Sequence, residues 1–268
     1  MPIRLSAALL AATRAAAPIA ARAALIASYA MADGTDSSGN GLNLTLSGTS
    51  ADTGRPGGDG SALAFDGTSS FAQYAGPSTG LLSIGARDWT VSAWVKPAST
   101  AAGVRMIVGR CECGFFCAPG GPTNAAITNL YLSDNKPGFA VRTDSETFYA
   151  AESASALAPG DWHWLAGVLN RSGGTLSLYV DGTLAASVAY GASETVTDTD
   201  TPLSIGREFR QGFASPYRYF AGSIDDVAIY DETLLVVPEP GSLAMGIVAL
   251  TGLAAARARR RAAAARPS

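Results

Sequence analysis

Residues 175–187 read TLSLYVDGTLAAS, with alternating apolar and polar runs on either side of an Asp181-Gly182 pair. An Asp-Gly pair between two such runs is the strongest short-range signal for a β-hairpin. Gly182 suits the turn because glycine readily takes the positive φ that a two-residue hairpin turn demands. This stretch therefore predicts two antiparallel strands joined by a tight turn.

A two-residue turn also fixes which residues of a hairpin face one another. It predicts that Tyr179 lies across from Leu184 and that Leu178 lies across from Ala185. The apolar residues of the first run then share the buried face, and these are Leu176, Leu178 and Val180.

Short apolar or alternating segments recur on both sides of this hairpin, about every ten residues, as in antiparallel β-sandwiches. Of the 268 residues, 47% are hydrophobic, which suffices for one sizeable core. No helical periodicity interrupts the pattern before the C-terminal tail. The fold class is therefore predicted as all-β, with strands that include Leu25–Met31, Leu42–Leu46, Trp89–Pro97 and Gly222–Tyr230.

Charge is distributed unevenly along the chain. Residues 24–237 hold 11 of the 19 Lys and Arg residues but 21 of the 22 Asp and Glu residues, a formal charge of −10. Nucleic-acid binding depends on clustered Lys and Arg, so the acidic body argues against a nucleic-acid partner and favours cations such as calcium.

The first 23 residues have the features of a secretory signal peptide. A basic start at Arg4 precedes the apolar run Leu5–Ala12, and an Ala-x-Ala pattern ends at Ala23. Arg14 shortens the apolar run, so a disordered Ala/Arg-rich leader is the alternative. Residues 24–236 are predicted to form the single folded domain.

Three cysteines lie close together, at Cys111, Cys113 and Cys117. In an exported protein they favour a disulfide of Cys117 with either Cys111 or Cys113, which leaves one thiol over. Zinc is the alternative, but a structural zinc site needs about four ligands and His163 is the only histidine.

The C-terminal tail, residues 237–268, has three parts in order. The tripeptide Pro238, Glu239, Pro240 precedes an apolar segment at 241–256, predicted to be a short hydrophobic helix. A cluster of arginines follows at Arg257, Arg259, Arg260 and Arg261. The apolar segment is shorter than the roughly 20 residues that span a bilayer comfortably. Under the positive-inside rule the arginines stay cytoplasmic and the body lies outside.

This tail resembles the sorting signal of the PEP-CTERM class, which an exosortase reads in Gram-negative bacteria. The resemblance implies a membrane-anchored intermediate at the inner membrane, followed by release to the cell surface or extracellular matrix.

The body resembles the laminin-G-like jellyroll family. The resemblance rests on segments that occur in the family's order: 36–41 (DSSGNG), 62–67 (ALAFDG), 91–95 (VSAWV), 162–167 (WHWLAG), 178–182 (LYVDG) and 220–230. It implies two antiparallel sheets in the concanavalin A-like arrangement, a carbohydrate or protein ligand, and often a calcium ion. The resemblance implies that the calcium ligands are Asp36, Asn40, Asp225 and Asp226. The alternative is that Asp36 and Asn40 build a turn while Asp225 or Asp226 bonds to backbone.

A non-catalytic binding or adhesion module is the function these features favour. The alternative is a divergent glycan-active hydrolase or lyase on the same fold, and the third hypothesis is a structural matrix component. No catalytic residue is assigned, because the strand-borne Glu-x-Asp-x-Glu pattern of related glucanases is absent. His163 has no evident carboxylate partner and is expected to pack, and Asp66 and Asp181 are expected to serve as turn residues. Stacking of Trp162 or Trp164 on a sugar is a further hypothesis.

Overall fold

The chain folds into two antiparallel β-sheets packed face to face. A computed structural model describes residues 25–76, 80–100, 102–110, 127–145, 147–196, 202–209 and 218–233, and the account below concerns these residues. They form fifteen strands and no helix. The predicted all-β jellyroll sandwich is confirmed.

The first sheet has eight strands in the order β13-β12-β11-β6-β15-β4-β3, with β1 paired to β15 beside this path. Its strands are β1 (Leu25–Tyr29), β3 (Ser50–Thr53), β4 (Ser61–Asp66), β6 (Trp89–Pro97), β11 (His163–Asn170), β12 (Thr175–Val180), β13 (Thr183–Ala189) and β15 (Ala221–Tyr230).

The second sheet has seven strands in the order β10-β9-β8-β7-β14-β5-β2. Its strands are β2 (Thr45–Ser47), β5 (Phe71–Tyr74), β7 (Val104–Arg110), β8 (Ile127–Ser133), β9 (Lys136–Arg142), β10 (Phe148–Glu152) and β14 (Leu203–Ile205).

The predicted hairpin is β12 and β13. Asp181 has a φ of 48° and Gly182 a φ of 81°, as a two-residue primed turn requires. Tyr179 pairs with Leu184 as predicted. Leu178 pairs with Ala186 rather than with Ala185, because a β-bulge after the first pairs shifts the register by one residue.

The predicted strand at 42–46 is shorter than its alternating pattern suggests, since β2 begins at Thr45. The amide of Leu42 donates to the Asp36 carboxylate and that of Leu44 to the carbonyl of Gly34, so neither is available to a sheet. Leu42 and Leu44 are nevertheless buried in the core. The apolar pattern identified their burial and not their backbone conformation.

The core is made by the facing sides of the two sheets, and Phe139 and Gly167 meet across it. Phe139 lies on β9 and is completely buried. A Cβ atom at Gly167, on β11 of the other sheet, would overlap the Phe139 ring. The missing side chain at 167 therefore lets the sheets approach at this point.

Several predictions fall outside the described residues. These are the signal peptide at 1–23, the cysteines 111, 113 and 117, and the tail at 237–268 with its helix, sorting motif and arginines. Within the described ranges, no helix is long and apolar enough to cross a membrane.

Substitution of Gly167 tests the contact between the sheets. Gly167→Ala is expected to lower the free energy of unfolding by about 1–3 kcal/mol, because an extra methyl group is forced against the buried ring. Urea denaturation of the full chain measures this.

Gly191→Ala is the matched control. Its Cβ would lie 2.9 Å from Cγ of Glu194, a partly exposed side chain rather than a buried ring, so a smaller loss than at Gly167 is expected. Equal effects of the two substitutions would contradict this account of the core.

Candidate functional site

The seven-stranded sheet has one face in the core and a second, here called the outer face, that points away from the other sheet. On β8, Leu130 and Leu132 belong to the core. Because side chains alternate along a strand, Asn129 and Tyr131 lie on the outer face. The same alternation places Ser204, between the core residues Leu203 and Ile205, on this face.

Polar residues on neighbouring strands line up across this face. Asn129 pairs with Gly109, Gly109 pairs with Ser204, and Ser204 pairs with Gln73. These four residues, called the polar row, cross β8, β7, β14 and β5 side by side. The row contains no ionisable group.

Two side chains of the polar row are completely buried and lack hydrogen-bond partners. Asn129 and Ser204 both have 0% relative exposure. Neither amide atom of Asn129 nor the hydroxyl of Ser204 has a hydrogen-bond partner among the described residues. Buried polar groups of folded proteins are nearly always hydrogen-bonded, so these three atoms require an explanation.

Gly109 makes room for the Asn129 amide. A Cβ atom at Gly109 would overlap Oδ1 of Asn129 and lie 3.1 Å from Sδ of Met106. The Asn129 amide therefore lies over the glycine, on the side of its strand that faces Ser204.

Charged side chains adjoin the row beyond β14. The Arg207 guanidinium lies 3.3 Å from the ring centre of Phe71 and donates to Oε1 of Gln73 at 2.5 Å. Glu208 is 1% exposed and accepts from Arg218 at 3.1 Å. Glu208 is thus buried against an ion-pair partner, and residues 210–217 lie outside the described residues.

At the other end of the row, the Tyr131 ring packs over Gly138 of β9. Its ring occupies the space that a Cβ at Gly138 would take, and its hydroxyl donates to Oε2 of Glu152 at 3.2 Å. Burial raises the pKa of Tyr131 above its ordinary value, and the nearby Glu152 carboxylate raises it further. Tyr131 packs with Met106 and Ala140 in a small apolar cluster on this face.

The opposite side of the molecule, the outer face of the eight-stranded sheet, carries tryptophans covered by cations. The Arg55 guanidinium lies 4.9 Å from the ring centre of Trp94, and the Lys96 ammonium lies 5.1 Å from that of Trp162. Trp164 is 7% exposed and pairs with Trp94 in the ladder. Contacts of this kind stabilise the surface and leave little aromatic face for a sugar.

The cations of that face are also paired with carboxylates. Lys96 lies 2.9 Å from Asp52, which accepts from Ser223 at 2.5 Å as well. These hydrogen bonds, that from Ser223 first, lower the pKa of Asp52 to about 2.

The expectation for His163 requires a correction, because it has a carboxylate partner. Its Nδ1 lies 2.7 Å from Oδ2 of Asp181, whose other oxygen accepts from the amide of Trp164. Asp181 is a turn residue as expected, and it ties the turn to β11 as well. The hairpin turn brings together two residues that are 18 positions apart.

Asp36 and Asn40 hold a turn next to β1. The Asp36 carboxylate accepts hydrogen bonds from the amides of Ser28, Ser38 and Leu42 and from the Ser38 hydroxyl. Asn40 donates to the carbonyls of Leu25 and Ile26. Both oxygens of Asp36 face hydrogen-bond donors, which fits a turn better than a cation ligand.

Asp225 and Asp226 lie at a β-bulge in β15, where Asp226 has a φ of 43°. Asp226 forms an ion pair with Arg55 at 2.6 Å, and one oxygen of Asp225 accepts from the Arg55 amide at 2.9 Å. Asp225 is completely buried, and its Oδ1 has no hydrogen-bond partner in the described part of the chain. Burial raises its pKa to about 6, despite the hydrogen bond from Arg55, and the neighbouring Asp226 adds to the rise.

A glycine-rich loop at residues 54–60 packs against Asp225. Cβ atoms at Gly54 and Gly58 would lie 3.0 and 3.4 Å from Oδ2 of Asp225. The oxygen beside this loop is the one that accepts from the Arg55 amide, whereas the oxygen without a described partner is Oδ1. Carboxylate oxygens are the ligands that a hard cation such as calcium prefers. The described residues contain no group of three or more His, Cys, Asp and Glu side chains that could hold a metal.

Comparison with known proteins identifies the family. A family model for the concanavalin A-like lectin/glucanases superfamily matches residues 66–236, more than half of the chain. The chain belongs to this superfamily. No curated protein sequence matches it significantly.

Several solved structures have a similar fold at low sequence identity. Domain 4 of AbnA, a GH43 extracellular arabinanase from Geobacillus stearothermophilus solved with arabinotriose, has a TM-score of 0.58 and 20% identity. The match covers 79% of this chain and 94% of that domain.

Toxin domains resemble it as well. The binding domain of Paraclostridial Mosquitocidal Protein 1 has a TM-score of 0.59 and 15% identity over 78% of this chain. The ligand-binding domain of botulinum neurotoxin serotype D, solved with N-acetylneuraminic acid, has a TM-score of 0.56 and 13% identity over 79% of this chain. The matches span 49% and 48% of those chains, about half of each.

The polar row was missed by sequence reasoning. Alternation within 127–133 (ITNLYLS) could have placed Asn129 opposite the leucines. Nothing local to the sequence brings Asn129, Gly109, Ser204 and Gln73 into one row, because four strands from separate parts of the chain must first be paired.

Proposed function

We propose that the protein is a non-catalytic glycan-binding module and that the outer face of the seven-stranded sheet carries its binding site. The fold is lectin-like, and the observation that supports the location is the polar row with its unpartnered, buried side chains. Protein ligands displayed on a surface or matrix are the second class of partner for such a module.

The two faces of the sandwich differ in what they offer a ligand. On the eight-stranded sheet, Arg55 and Lys96 lie over tryptophan rings and pair with carboxylates. On the seven-stranded sheet, Arg207 likewise lies over Phe71 and bonds to Gln73, but Asn129 and Ser204 keep polar atoms without described partners. Sugars are recognised largely by neutral hydrogen-bonding groups, so the second face is the better candidate.

Comparison with relatives supports the ligand class. The structure of the arabinanase domain contains arabinotriose, and that of a botulinum neurotoxin domain contains N-acetylneuraminic acid. At these levels of identity the likeness establishes the fold, and glycan binding by this chain is our proposal.

The catalytic alternative is disfavoured by the positions of the outer-face carboxylates in the described part of the chain. A glycosidase holds its two carboxyl groups about 5–10 Å apart. Glu152 belongs to β10 and bonds to Tyr131, whereas Glu208 follows β14 and bonds to Arg218. Strands β9, β8 and β7 separate β10 from β14, and each strand adds about 4.8 Å.

A glycan panel that includes arabinotriose and N-acetylneuraminic acid tests the proposed function with the full chain. Saturable binding without release of shorter sugars is expected. Gln73→Ala removes a member of the polar row and should weaken binding, whereas Lys96→Ala on the opposite sheet should not.

The reverse pattern, loss of binding with Lys96→Ala alone, would move the site to the eight-stranded sheet. Release of shorter sugars over time would support the enzymatic alternative, and failure of every glycan to bind would overturn the proposal.

We propose further that Asp225 is a ligand of one structural calcium ion through its Oδ1. The supporting observation is the buried Oδ1 without a described partner. Asp226, already paired with Arg55, is adjacent, whereas Asp36 and Asn40 are engaged with backbone at β1. Calcium would offset the cost of burying the Asp225 charge.

The pH dependence of stability tests this site. The pKa of Asp225 is about 6 in the folded chain, above the ordinary carboxyl value of 3.8, so folding favours the protonated form. In chelator, its contribution to stability is fully present below about pH 4 and lost as pH rises through about 6. Calcium at millimolar concentration is expected to raise the melting temperature at pH 7 and to reduce this loss.

Asp225→Asn is expected to abolish both the loss and the calcium response. Asp36→Asn is the matched control: it should lower the melting temperature but keep the calcium response. A calcium response that survives Asp225→Asn would place the ion elsewhere.

We also propose that the protein is exported, anchored transiently in the inner membrane by its tail and sorted to the cell surface or extracellular matrix by an exosortase. The support is the order of Pro238-Glu239-Pro240, the apolar segment and the arginine cluster at 257–261. Sorting would present the binding face to extracellular glycans.

Deletion of residues 238–268 tests this pathway in a Gram-negative host that has an exosortase. Surface localisation, measured by fractionation and labelling of intact cells, is expected to be lost. A control with Pro238, Glu239 and Pro240 changed to Ala keeps the apolar segment and should accumulate at the membrane. Unchanged surface labelling of either variant would refute the sorting role.

A further inference from the structure

We propose that Asn40 is a site of spontaneous deamidation, and that its conversion to a carboxylate frees the start of β1 from the turn beside it. This turn, residues 36–43, is called the β1 turn below. The reaction consumes water and releases ammonia. The inference is independent of the proposed glycan, calcium and sorting functions.

The first argument is the residue that follows Asn40. Deamidation begins when a backbone amide nitrogen reaches the side-chain carbonyl carbon of the asparagine before it. Of the six asparagines in the chain, Asn40 is the one that glycine follows. Glycine has no Cβ to obstruct a close approach of its backbone. A Cβ atom at Gly41 would meet nothing within 4 Å, so the backbone is unobstructed on that side.

The second argument is that the reacting groups are accessible. Asn40 and Gly41 are both exposed. The Gly41 amide donates no hydrogen bond to the described residues, whereas the next amide, that of Leu42, donates to Asp36 at 3.0 Å. An amide without a hydrogen-bond partner can exchange its proton with solvent without first breaking a contact.

The chemistry has two steps. The Gly41 nitrogen loses its proton and attacks Cγ of Asn40, which forms a C–N bond and closes a succinimide ring. The bond from Cγ to Nδ2 breaks, and Nδ2 takes up the proton and leaves as ammonia. Water then opens the ring at either carbonyl carbon and gives aspartate or isoaspartate. Because the attacking nitrogen must be deprotonated, the rate rises with pH.

The third argument concerns what the Asn40 amide holds. The register of β1 against β15 shifts between Leu25 and Ala27, as at a β-bulge. Beside this bulge, Nδ2 of Asn40 donates to the carbonyl of Leu25 at 3.1 Å and to that of Ile26 at 2.9 Å. The amide therefore satisfies backbone acceptors where the ladder is irregular.

A carboxylate at residue 40 cannot replace this amide. An ionised carboxylate has no donor, so its oxygens would face the carbonyl oxygens of Leu25 and Ile26. Deamidation therefore breaks the link between the β1 turn and the strand. Ile26 is 1% exposed and belongs to the core, so we expect local opening of β1 rather than unfolding of the domain.

Asn43 provides an internal control within the β1 turn. It is exposed as well, but the residue after it, Leu44, has a side chain and its amide donates to the carbonyl of Gly34 at 2.7 Å. Asn43 should therefore keep its amide under conditions that convert Asn40.

Incubation of the full chain in mildly alkaline buffer, followed by proteolysis and mass spectrometry, tests the site. Asn40 is expected to become a mixture of aspartate and isoaspartate at a rate that rises with pH. Gly41→Ala should slow this conversion by about tenfold or more, which corresponds to a barrier about 1.4 kcal/mol higher. Equal rates at Asn40 and Asn43 would overturn the proposed site.

The Gly41→Ala variant carries a cost, because Gly41 has a φ of 73° that other residues rarely adopt. If this variant fails to fold, the comparison of Asn40 with Asn43 in the unmodified chain still decides the question.

Hydrogen exchange of residues 25–29 tests the consequence. Asn40→Asp reproduces one product and is expected to speed exchange in β1 severalfold, while the hairpin at 175–189 keeps its rate. Asn43→Asp is the matched control, because it adds the same charge to the same turn. Oδ1 of Asn43 accepts from the Asp36 amide at 2.9 Å, and a carboxylate can accept in its place, so exchange in β1 should stay unchanged.

Two results would overturn the proposed release of β1. Equal exchange in the unmodified chain and in Asn40→Asp would show that the amide does not hold the strand. Equal acceleration by Asn40→Asp and Asn43→Asp would assign the effect to the added charge instead of the lost donor.

Discussion

The contact between the Phe139 ring and the backbone of Gly167 is the constraint on which the sandwich depends. It joins β9 of the seven-stranded sheet to β11 of the eight-stranded sheet, and a side chain at 167 would overlap the ring. Because Phe139 points into the core, its neighbours Gly138 and Ala140 must point outward. Packing between the sheets therefore determines which residues of β9, and through the ladder those of β8 and β7, appear on the outer face.

The two outer faces differ in how fully their described polar groups are hydrogen-bonded. On the eight-stranded sheet, cations cover tryptophan rings and are paired with carboxylates. These charged groups and ring faces therefore already have partners within the protein. On the seven-stranded sheet, the side chains of Asn129 and Ser204 have polar atoms without described hydrogen-bond partners, which lowers stability. The same logic distinguishes the two acidic pairs. Asp36 has its oxygens saturated by backbone amides, whereas Asp225 keeps one oxygen without a described partner.

Features set by local chemistry were predictable from the sequence, and features set by pairing across the sheet were not. The Asp181-Gly182 turn follows from the φ values that its residues adopt readily, and β6 occupies the predicted 89–97. The bulge that pairs Leu178 with Ala186 depends on the flanking ladder and was missed. His163 meets Asp181 only after the hairpin forms, and Asn129 meets Ser204 only through Gly109 on a third strand.

The first and last of the described strands lie side by side, with Leu25 opposite Tyr230. Both connections of the domain therefore leave from one point on its perimeter, an arrangement that suits insertion into a longer chain or closure head to tail without a spanning linker. It also has a mechanical consequence. A pull between the two connections peels β1 from β15 one hydrogen-bonded pair at a time instead of shearing the whole ladder. Under tension the domain would yield at this seam first, while the distant hairpin and the outer face keep their shape.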